Sequence, residues 1–308
     1  MKIDKITGLI APTFTPYNSD SSIAPHVIAQ YAAWLKSQGV SGVFVNGSSG
    51  ESVLLTTQER MALAENWAAH ADAEFKVIVH VGCASVENAK ELAAHSQSLP
   101  GVYAIAAMAA NFFPSSRIET VAEYCAQIAS AAPLLPFYYY HLPAATGTHI
   151  KVHQLLNYGK DRIPNLAGVK YTHTDFMDMH QCIALHDGYF DVLHGHDETL
   201  INGLVLGVRG AIGTTFNFMP KIYLRMMDAF DRHDLVTARH FQRKSIEVIS
   251  IMLRYKNAIV GGKAILKLKG IDCGSCRLPL ENLHATDLAQ LEAELHSIGY
   301  FDNDFCTN

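Results

Sequence analysis

Lys170 is the residue of this sequence with the clearest capacity for chemistry. It ends a short apolar run, LAGV, which has the composition of a buried strand. A lysine is seldom placed on such a run for packing alone, because its ammonium group needs water or a charged partner. Burial disfavours the charged form, and a neutral amine is a nucleophile toward ketones. The residue pattern alone leaves two interpretations of Lys170 open, a nucleophile or a buried ion-pair lysine.

Polar side chains also follow several other predicted strands, at the points where those strands end. In a barrel of parallel strands these ends meet at one face, and active sites collect there. Together the residues at the strand ends supply an amine, a phenol, several hydroxyls and a carboxylate. They are Ser48 and Ser49 after the second strand, Tyr140 and His141 after the fifth, Lys170, Tyr171 and Thr172 after the sixth, Gly195, His196, Asp197 and Glu198 after the seventh, and Thr214 and Thr215 after the eighth.

Two of these segments indicate particular chemistry. The turn GSSGES at residues 47–52 opens into a helix, so its N–H groups and hydroxyls suit a carboxylate, although a plain strand-to-helix turn has the same composition. In the run of three tyrosines, Tyr138 and Tyr140 share one face of a strand and Tyr139 takes the other. Aromatic strand residues are usually core, but His-Leu-Pro follows Tyr140 immediately. We therefore predict that the Tyr140 hydroxyl lies at the pocket mouth, where it can carry a proton.

Short apolar runs alternate with amphipathic stretches along the whole chain. Apolar runs without alternation are typical of strands that are buried on both faces, as in parallel sheets. Thr56 and Ser85 are the predicted N-caps of the second and third helices. We predict strands over residues 8–16, 42–48, 76–82, 102–109, 135–141, 166–173, 190–194 and 210–216, and helices over residues 24–38, 56–70, 85–98, 116–132, 151–159, 175–186 and 198–206.

Eight β–α units indicate an α/β fold, a (β/α)8 TIM barrel with a helical C-terminal extension. From about residue 221 the chain is predicted to form one barrel helix and about three more, with a break at Gly261-Gly262 and a loop over residues 273–279. We predict a single domain over residues 1–308, with the barrel over about 1–232 and the extension over about 233–308. The rival doubly wound sheet needs a GxGxxG turn, which the sequence GSSGE lacks.

Composition and charge favour a protein that works on small molecules. The 308 residues are 49% hydrophobic and 17% charged, which suits a large core. A net charge of −5 gives no basic excess for nucleic acid or an anionic membrane. No segment reaches the roughly 18 apolar residues of a membrane span. Six scattered cysteines predict reduced thiols, and the N-terminus lacks a signal-peptide pattern, so we expect a cytoplasmic protein.

Histidines and cysteines raise a competing interpretation, which is a metal site. His141, His173, His194 and His196 lie near predicted strand ends, and imidazoles are common zinc ligands. However, the sequence has no HExxH, and its first strand, GLIAPTFTP, lacks the HxH of amidohydrolase-type metal barrels. A lone CxxC at residues 273–276 is a weak zinc or redox signal. We predict no metal.

Taken together, the strand-end motifs resemble the N-acetylneuraminate lyase and dihydrodipicolinate synthase family of class I pyruvate aldolases. The likeness runs from about Gly8 to about Leu280, and its motifs are weak singly and specific in combination. They are GSSGE at 47–51, YHLP at 140–143 with TG at 146–147, GVK at 168–170, GHDE at 195–198 and GTTFN at 213–217. The resemblance implies a TIM barrel, carbon–carbon lyase activity and a homotetramer.

The resemblance also implies roles for nine residues and the absence of a cofactor. Lys170 is expected to form a Schiff base with a 2-oxo acid, and Tyr140 to pass the proton during C–C cleavage. Because the iminium ion accepts the electrons left by cleavage, no metal is needed. The expected substrate-binding residues are Ser48 and Ser49 for the pyruvate carboxylate, Thr172 for the sugar portion, and Gly195, Asp197, Glu198 and Thr214 for the polyol.

The loop after Tyr140 separates the members of this family. Dihydrodipicolinate synthases look like YxxPxRTG here, with an arginine that grips an aldehyde acid, whereas Ala145 stands at that position in this chain. A neutral, hydroxyl-lined subsite favours a sugar. We therefore expect reversible cleavage of N-acetylneuraminate, a sialic acid, to N-acetyl-D-mannosamine and pyruvate.

Two departures from the family pattern and three alternative functions remain. Phe112 stands where the family often has a tyrosine that reaches into a neighbouring subunit's site, and Thr214 replaces a usual serine. One alternative is another pyruvate aldolase, either a 2-keto-3-deoxy sugar acid aldolase or a dihydrodipicolinate synthase. The others are a metal-dependent barrel hydrolase that uses the histidines and a non-catalytic sugar-acid sensor.

Overall fold

The computed structural model describes residues 4–302 and residue 305 of the chain. Within these residues eight parallel strands form a closed barrel, in which each strand pairs with its neighbours in sequence and β8 pairs with β1. The predicted (β/α)8 TIM barrel is therefore confirmed. The strands are β1 Gly8–Ala11, β2 Gly42–Val45, β3 Lys76–His80, β4 Val102–Met108, β5 Phe137–His141, β6 Leu166–Tyr171, β7 Asp191–His194 and β8 Gly210–Ile212.

Helices connect the strands and continue after the last of them. The predicted barrel helices are present, together with a short unpredicted helix, α5, which begins with Pro143 because proline fits the first turn of a helix. The helices are α1 Ile28–Ser37, α2 Thr57–Ala68, α3 Val86–Ser98, α4 Ile118–Ser130, α5 Pro143–Thr146, α6 Val152–Gly159, α7 Phe176–Gly188, α8 Leu200–Leu206, α9 Pro220–Asp231, α10 Leu235–Arg254, α11 Ala258–Leu268 and α12 Ala285–Ser297.

The strands bury both faces, as their unbroken apolar composition predicts. Tyr138 and Tyr140 pack inside the barrel, whereas Tyr139 packs in the outer layer between strands and helices. Strand pairing sets Lys170 beside Tyr140 on β5 and beside Leu193 on β7. Since residues that are paired in register lie on the same side of a barrel wall, Lys170 points into the barrel.

Local sequence signals fix the starts of two barrel helices. The Thr56 hydroxyl accepts a hydrogen bond from the N–H of Glu59, and the Glu59 carboxylate accepts one from the N–H of Thr56. The Ser85 hydroxyl accepts a hydrogen bond from the N–H of Asn88. Both predicted N-caps are therefore confirmed.

The predicted strands extend too far at their carboxyl ends. The first strand ends at Ala11 instead of residue 16, and the eighth ends at Ile212, after which Thr214–Asn217 forms a 3₁₀ turn. The Asn217 amide donates hydrogen bonds to the carbonyl oxygens of Pro12 and Thr214, so the two chain segments bend together over the barrel mouth. The residues beyond the strands therefore form the mouth of the barrel instead of its wall.

The predicted helix break at Gly261-Gly262 is wrong, because α11 passes through both glycines without interruption. A Cβ atom at Gly261 would lie 2.6 Å from the carbonyl oxygen of Met252. A Cβ atom at Gly262 would lie 2.5 Å from the ring of Phe14. The glycines therefore allow α11 to pack closely against α10 and the barrel, and the chain turns between α10 and α11 instead.

The rest of the extension follows the prediction. Helices α10, α11 and α12 come after α9, which ends at Asp231, and residues 273–279 contain neither helix nor strand. A single domain that divides at about residue 232 stays a prediction. Across residues 4–302 no helix combines the length and the apolar composition that crossing a bilayer requires.

Candidate active site

A pocket of about 220 Å³ opens at the carboxyl ends of the strands. The barrel brings residues that lie far apart in the sequence to this one place. All nine residues predicted for the site line the pocket, while their individual roles stay predictions. They are Ser48, Ser49, Tyr140, Lys170, Thr172, Gly195, Asp197, Glu198 and Thr214.

Lys170 is buried at the base of this pocket, with 3% of its surface exposed. Its Nζ lies 4.2 Å from the centre of the Phe44 ring and 4.0 Å from that of the Tyr140 ring. None of the ion pairs within 4 Å among the described residues includes Lys170, whereas the other buried lysine, Lys263, is paired with Glu51. Burial lowers the pKa of Lys170, against the opposing effects of Tyr140 and Asp197. The site therefore shifts the amine toward its uncharged form.

Tyr140 presents its hydroxyl to the pocket while neighbouring rings hold its own ring in place. The hydroxyl oxygen lies 3.0 Å from the Oγ of Ser48. The ring packs edge-on against Phe44 and His80, at centroid distances of 5.5 and 5.9 Å. His80 Nδ1 lies 2.9 Å from the carbonyl oxygen of Asn46, and burial holds the pKa of His80 well below its usual value. A neutral His80 therefore supports Tyr140 by packing.

The turn after β2 places two hydroxyls and two N–H groups at the pocket. Ser49 Oγ lies 2.8 Å from the Oγ1 of Thr214, and Ser48 Oγ contacts Tyr140. The backbone N–H groups of Ser48 and Ser49 donate no hydrogen bond to any group of the described chain. Below them the Thr15 hydroxyl donates to the carbonyl oxygen of Gly50 at 2.6 Å. Free N–H groups and hydroxyls on one turn suit the oxygens of a carboxylate.

The opposite side of the pocket combines a free hydroxyl with a close backbone approach. A Cβ atom at Gly195 would lie 2.0 Å from the Oγ1 of Thr172, so only glycine leaves room for that hydroxyl. Thr172 Oγ1 is buried and has no hydrogen-bond partner among the described residues. Because an unpaired buried hydroxyl is unfavourable, this group is well suited to a polar substrate.

Two carboxylates stand beside this hydroxyl in different environments. Asp197 is buried, and its Oδ2 accepts hydrogen bonds of 2.6 Å from both the N–H and the hydroxyl of Thr215. Burial raises the pKa of Asp197 to about 6, although the Thr215 bonds oppose that shift. Glu198 is half exposed, and its Oε1 lies 3.9 Å from the Nδ1 of His196. The two acids offer hydrogen-bond acceptors at different depths of the pocket.

The histidines considered as metal ligands make packing and hydrogen-bond contacts instead of forming a three-ligand cluster. His194 stacks on Phe176 and its Nε2 lies 3.1 Å from the Oγ1 of Thr199. His141 packs against the rings of Tyr171 and His173. Across residues 4–302 no three His, Cys, Asp or Glu side chains are grouped to hold a metal ion. The cysteines of the CxxC at 273–276 are buried free thiols.

Phe112 and Ala145 lie away from this pocket, whereas Thr214, the other position that departs from a family motif, lines it. Phe112 is 80% exposed and packs edge-on against Phe113, at a centroid distance of 4.9 Å. Ala145 is exposed in α5 and does not line the pocket. Apart from Lys170, no lysine or arginine of the described chain lines the pocket, so its outer part carries no fixed positive charge.

Sequence reasoning missed three features of the site. Phe44 forms the floor beneath Lys170, and a buried ion pair lies behind the turn after β2. The C-terminal extension supplies an apolar wall to the pocket, so it is part of the site. The wall consists of Ile249, Met252, Leu253 and Ala258.

A closed eight-stranded barrel with a small polar pocket at the carboxyl ends of its strands is the architecture of a TIM-barrel enzyme. Comparison with known proteins then defines the family. The model of the dihydrodipicolinate synthetase family matches residues 5–298, and the chain belongs to this family.

Three similar proteins carry the same activity in their names. N-acetylneuraminate lyase of Mus musculus is 37% identical over 303 residues, which are 97% of this chain and 94% of that protein. The enzyme of the same name from Gallus gallus is 38% identical over 304 residues, with coverage of 97% and 98%. The solved structure of Proteus mirabilis N-acetylneuraminate lyase has a TM-score of 0.92 at 32% identity and covers 96% of this chain and 99% of that chain. The resemblance found in the motifs is confirmed.

Proposed function

We propose that the protein is a class I aldolase that reversibly cleaves N-acetylneuraminate to N-acetyl-D-mannosamine and pyruvate through a Schiff base on Lys170. The observation that carries the proposal is the buried Lys170 amine, which lies against Tyr140 and has no ion-pair partner within 4 Å among the described residues. The relatives named N-acetylneuraminate lyase support the choice of reaction.

Lys170 and Tyr140 carry the chemical steps. The neutral Nζ of Lys170 attacks the keto carbon of the substrate, and the keto oxygen departs as water with a proton from the Tyr140 phenol, which leaves an iminium ion. The bond between C3 and C4 then breaks, and its electron pair moves into the iminium to form an enamine. The Tyr140 phenolate left by that step, whose oxygen lies 3.0 Å from Ser48 Oγ, takes the proton of the C4 hydroxyl, and C4 leaves as the aldehyde carbon of the sugar. Protonation of the enamine and hydrolysis then release pyruvate and restore the amine.

The other pocket residues bind the two ends of the substrate. The N–H groups and hydroxyls of Ser48 and Ser49 hold the carboxylate that becomes part of pyruvate. Groups that accept or donate hydrogen bonds to hydroxyls face the sugar end. They are Thr172, Gly195, Asp197, Glu198 and Thr214.

The charge of the pocket supports a sugar substrate. An aldehyde acid brings a second carboxylate, which needs a cation such as arginine. Ala145 stands where the synthases have that arginine, and no arginine of the described chain lines the pocket. A cytoplasmic homotetramer is part of the proposal and rests on family resemblance and composition alone.

Pyruvate release, or pyruvate consumption for the synthase reaction, across a panel of substrates tests the proposed function. The panel contains N-acetylneuraminate, 2-keto-3-deoxy sugar acids, and pyruvate with an aldehyde acid for the synthase reaction. We expect turnover of N-acetylneuraminate by the wild type and none by Lys170→Met, with EDTA having no effect. Turnover of only the other substrates would contradict the sugar assignment. Activity that EDTA abolishes and zinc restores would contradict the mechanism.

A further inference from the structure

A buried ion pair stands directly behind the turn proposed to hold the substrate carboxylate. Glu51 belongs to the same turn as Ser48 and Ser49, and its carboxylate is completely shielded from solvent. Its Oε1 lies 2.7 Å from the Nζ of Lys263, and its Oε2 accepts a hydrogen bond of 3.0 Å from the N–H of Arg277. Two separate parts of the C-terminal extension therefore hold this one side chain.

The backbone conformation at Glu51 couples the position of its side chain to the rest of the turn. Glu51 has a left-handed backbone conformation, with φ of +57°, which side-chain-bearing residues seldom adopt. Its N–H donates to the carbonyl oxygen of Ser48, and its carbonyl oxygen accepts from the N–H of Leu54. The surrounding contacts must hold such a conformation in place. Displacement of the Glu51 carboxylate would therefore be transmitted to Ser48.

Lys263 reaches this carboxylate from the middle of α11 without touching the active-site pocket. It is 4% exposed, and its Nζ lies 4.5 Å from the centre of the Tyr17 ring. It lines a different cavity, beside Tyr17 and Cys276. The most direct route from Lys263 to the reaction therefore runs through Glu51 and the turn.

A buried ion pair is a weak source of net stability, because removing two charges from water costs about as much as their attraction returns. What the ion pair does instead is fix geometry, because each of its two charges is strongly held at one position. Here the fixed carboxylate belongs to Glu51, whose own N–H is bonded to the carbonyl oxygen of Ser48. Small displacements of groups that bind a substrate weaken binding steeply.

We propose that Lys263 and Glu51 are positioning residues that fix the turn of Ser48 and Ser49 for the carboxylate of the 2-oxo acid. Through them the C-terminal extension sets the affinity for substrate more than the rate of C–C cleavage. The inference rests on the proposed function, since it requires that this turn binds the carboxylate.

Four variants separate positioning from simple stability. Lys263→Met leaves Glu51 buried without its ion pair, and Lys263→Arg keeps a cation there. Glu51→Gln with Lys263→Met removes both charges, so it leaves no unpaired buried charge but does not restore the ion pair that joins α11 to the turn. Lys267→Met is the matched control, because Lys267 lies one turn further along α11 in an exposed ion pair with Asp272, 2.8 Å away.

The readouts are kcat and KM for N-acetylneuraminate, the pyruvate concentration that half-saturates trapping by borohydride, and the melting temperature. For Lys263→Met we expect KM and the half-saturating pyruvate concentration to rise about tenfold or more, while kcat changes less than about threefold. The double variant recovers the melting temperature while its KM stays high. Lys263→Arg recovers KM and the melting temperature in large part, and Lys267→Met resembles the wild type.

Two outcomes would overturn the inference. One is a folded Lys263→Met with wild-type KM and trapping. The other is a double variant that recovers KM together with melting temperature, which would assign the pair a purely structural role. If Lys263→Met does not fold, the double variant decides alone. Failure of the proposed function is distinct, because the wild type itself would then neither release nor trap pyruvate.

Discussion

Replacing Lys170 by methionine is expected to remove catalysis while leaving the fold at least as stable as the wild type. Methionine keeps most of the length of the lysine stem. No ion pair of the described residues is broken, since none within 4 Å includes Lys170. The substitution removes the hydrogen bond between Nζ and Tyr140 and the approach of Nζ to the rings of Phe44 and Tyr140, at 4.2 and 4.0 Å.

The contacts that are lost and the cost of burying the charged amine together determine how much the stability changes and how that change depends on pH. Desolvated cation–ring contacts are worth about 2 kcal/mol, whereas burying an ion costs several kcal/mol. We therefore expect the free energy of unfolding of the variant to equal that of the wild type or to exceed it by up to about 3 kcal/mol. Burial lowers the pKa of Lys170 from its usual 10.5, so the native state binds fewer protons than the unfolded state. The wild type therefore gains stability as the pH rises toward 10.5, and the advantage of methionine shrinks.

Urea denaturation of both proteins, at about pH 7 and about pH 9.5, measures this difference. Lys263→Met is the matched control, because it leaves the Glu51 carboxylate buried without its ion pair. We expect that control to lose about 3 to 5 kcal/mol. If Lys170→Met loses as much as the control, Lys170 is a structural ion-pair lysine, and the reasoning is refuted.

Two further predictions concern a proton carrier and a buried acid. Tyr140→Phe keeps the ring and removes a hydroxyl that lies 3.0 Å from Ser48 Oγ. We expect kcat to fall about 10²- to 10⁴-fold while pyruvate still forms a trapped adduct, and an unchanged kcat in the pyruvate-release assay would exclude Tyr140 from proton transfer. Asp191, at the start of β7, has its pKa raised from 3.8 to about 6 by burial, so the native state favours its neutral form. Relative to Asp191→Asn, the wild type should lose up to about 3 kcal/mol of stability as the pH rises from about 4 to about 6, and parallel urea-denaturation profiles across that range would disprove this.

The barrel and its pocket were predictable because their signals are local. Each strand is a short apolar run without alternation, which indicates burial on both faces. The candidate residues stand at or shortly after the ends of those runs, as Lys170 does within β6 and Thr172 directly after it. In a closed parallel barrel that position alone determines which residues meet.

The features that the sequence did not reveal depend on partners that lie far apart in the chain. Lys263, in AIVGGKAIL, carries the same signal as Lys170, a lysine in an apolar run, and local sequence does not distinguish the two. Only the fold shows that Lys263 faces Glu51 while Lys170 faces rings. Likewise, the low helix propensity of Gly261 predicted a break in the helix. In the structure, Gly261 instead lets α11 pack closely against Met252.

The central claim is that the Lys170 amine is uncharged and condenses with a 2-oxo acid. Incubation with pyruvate and sodium borohydride, followed by intact mass and peptide mapping, tests it most directly, because hydride reduces the iminium to a stable secondary amine. We predict one adduct per chain, located on Lys170 and absent from Lys263 and from the Lys170→Met variant. No adduct on the wild type, or an adduct that persists in Lys170→Met, would contradict the account.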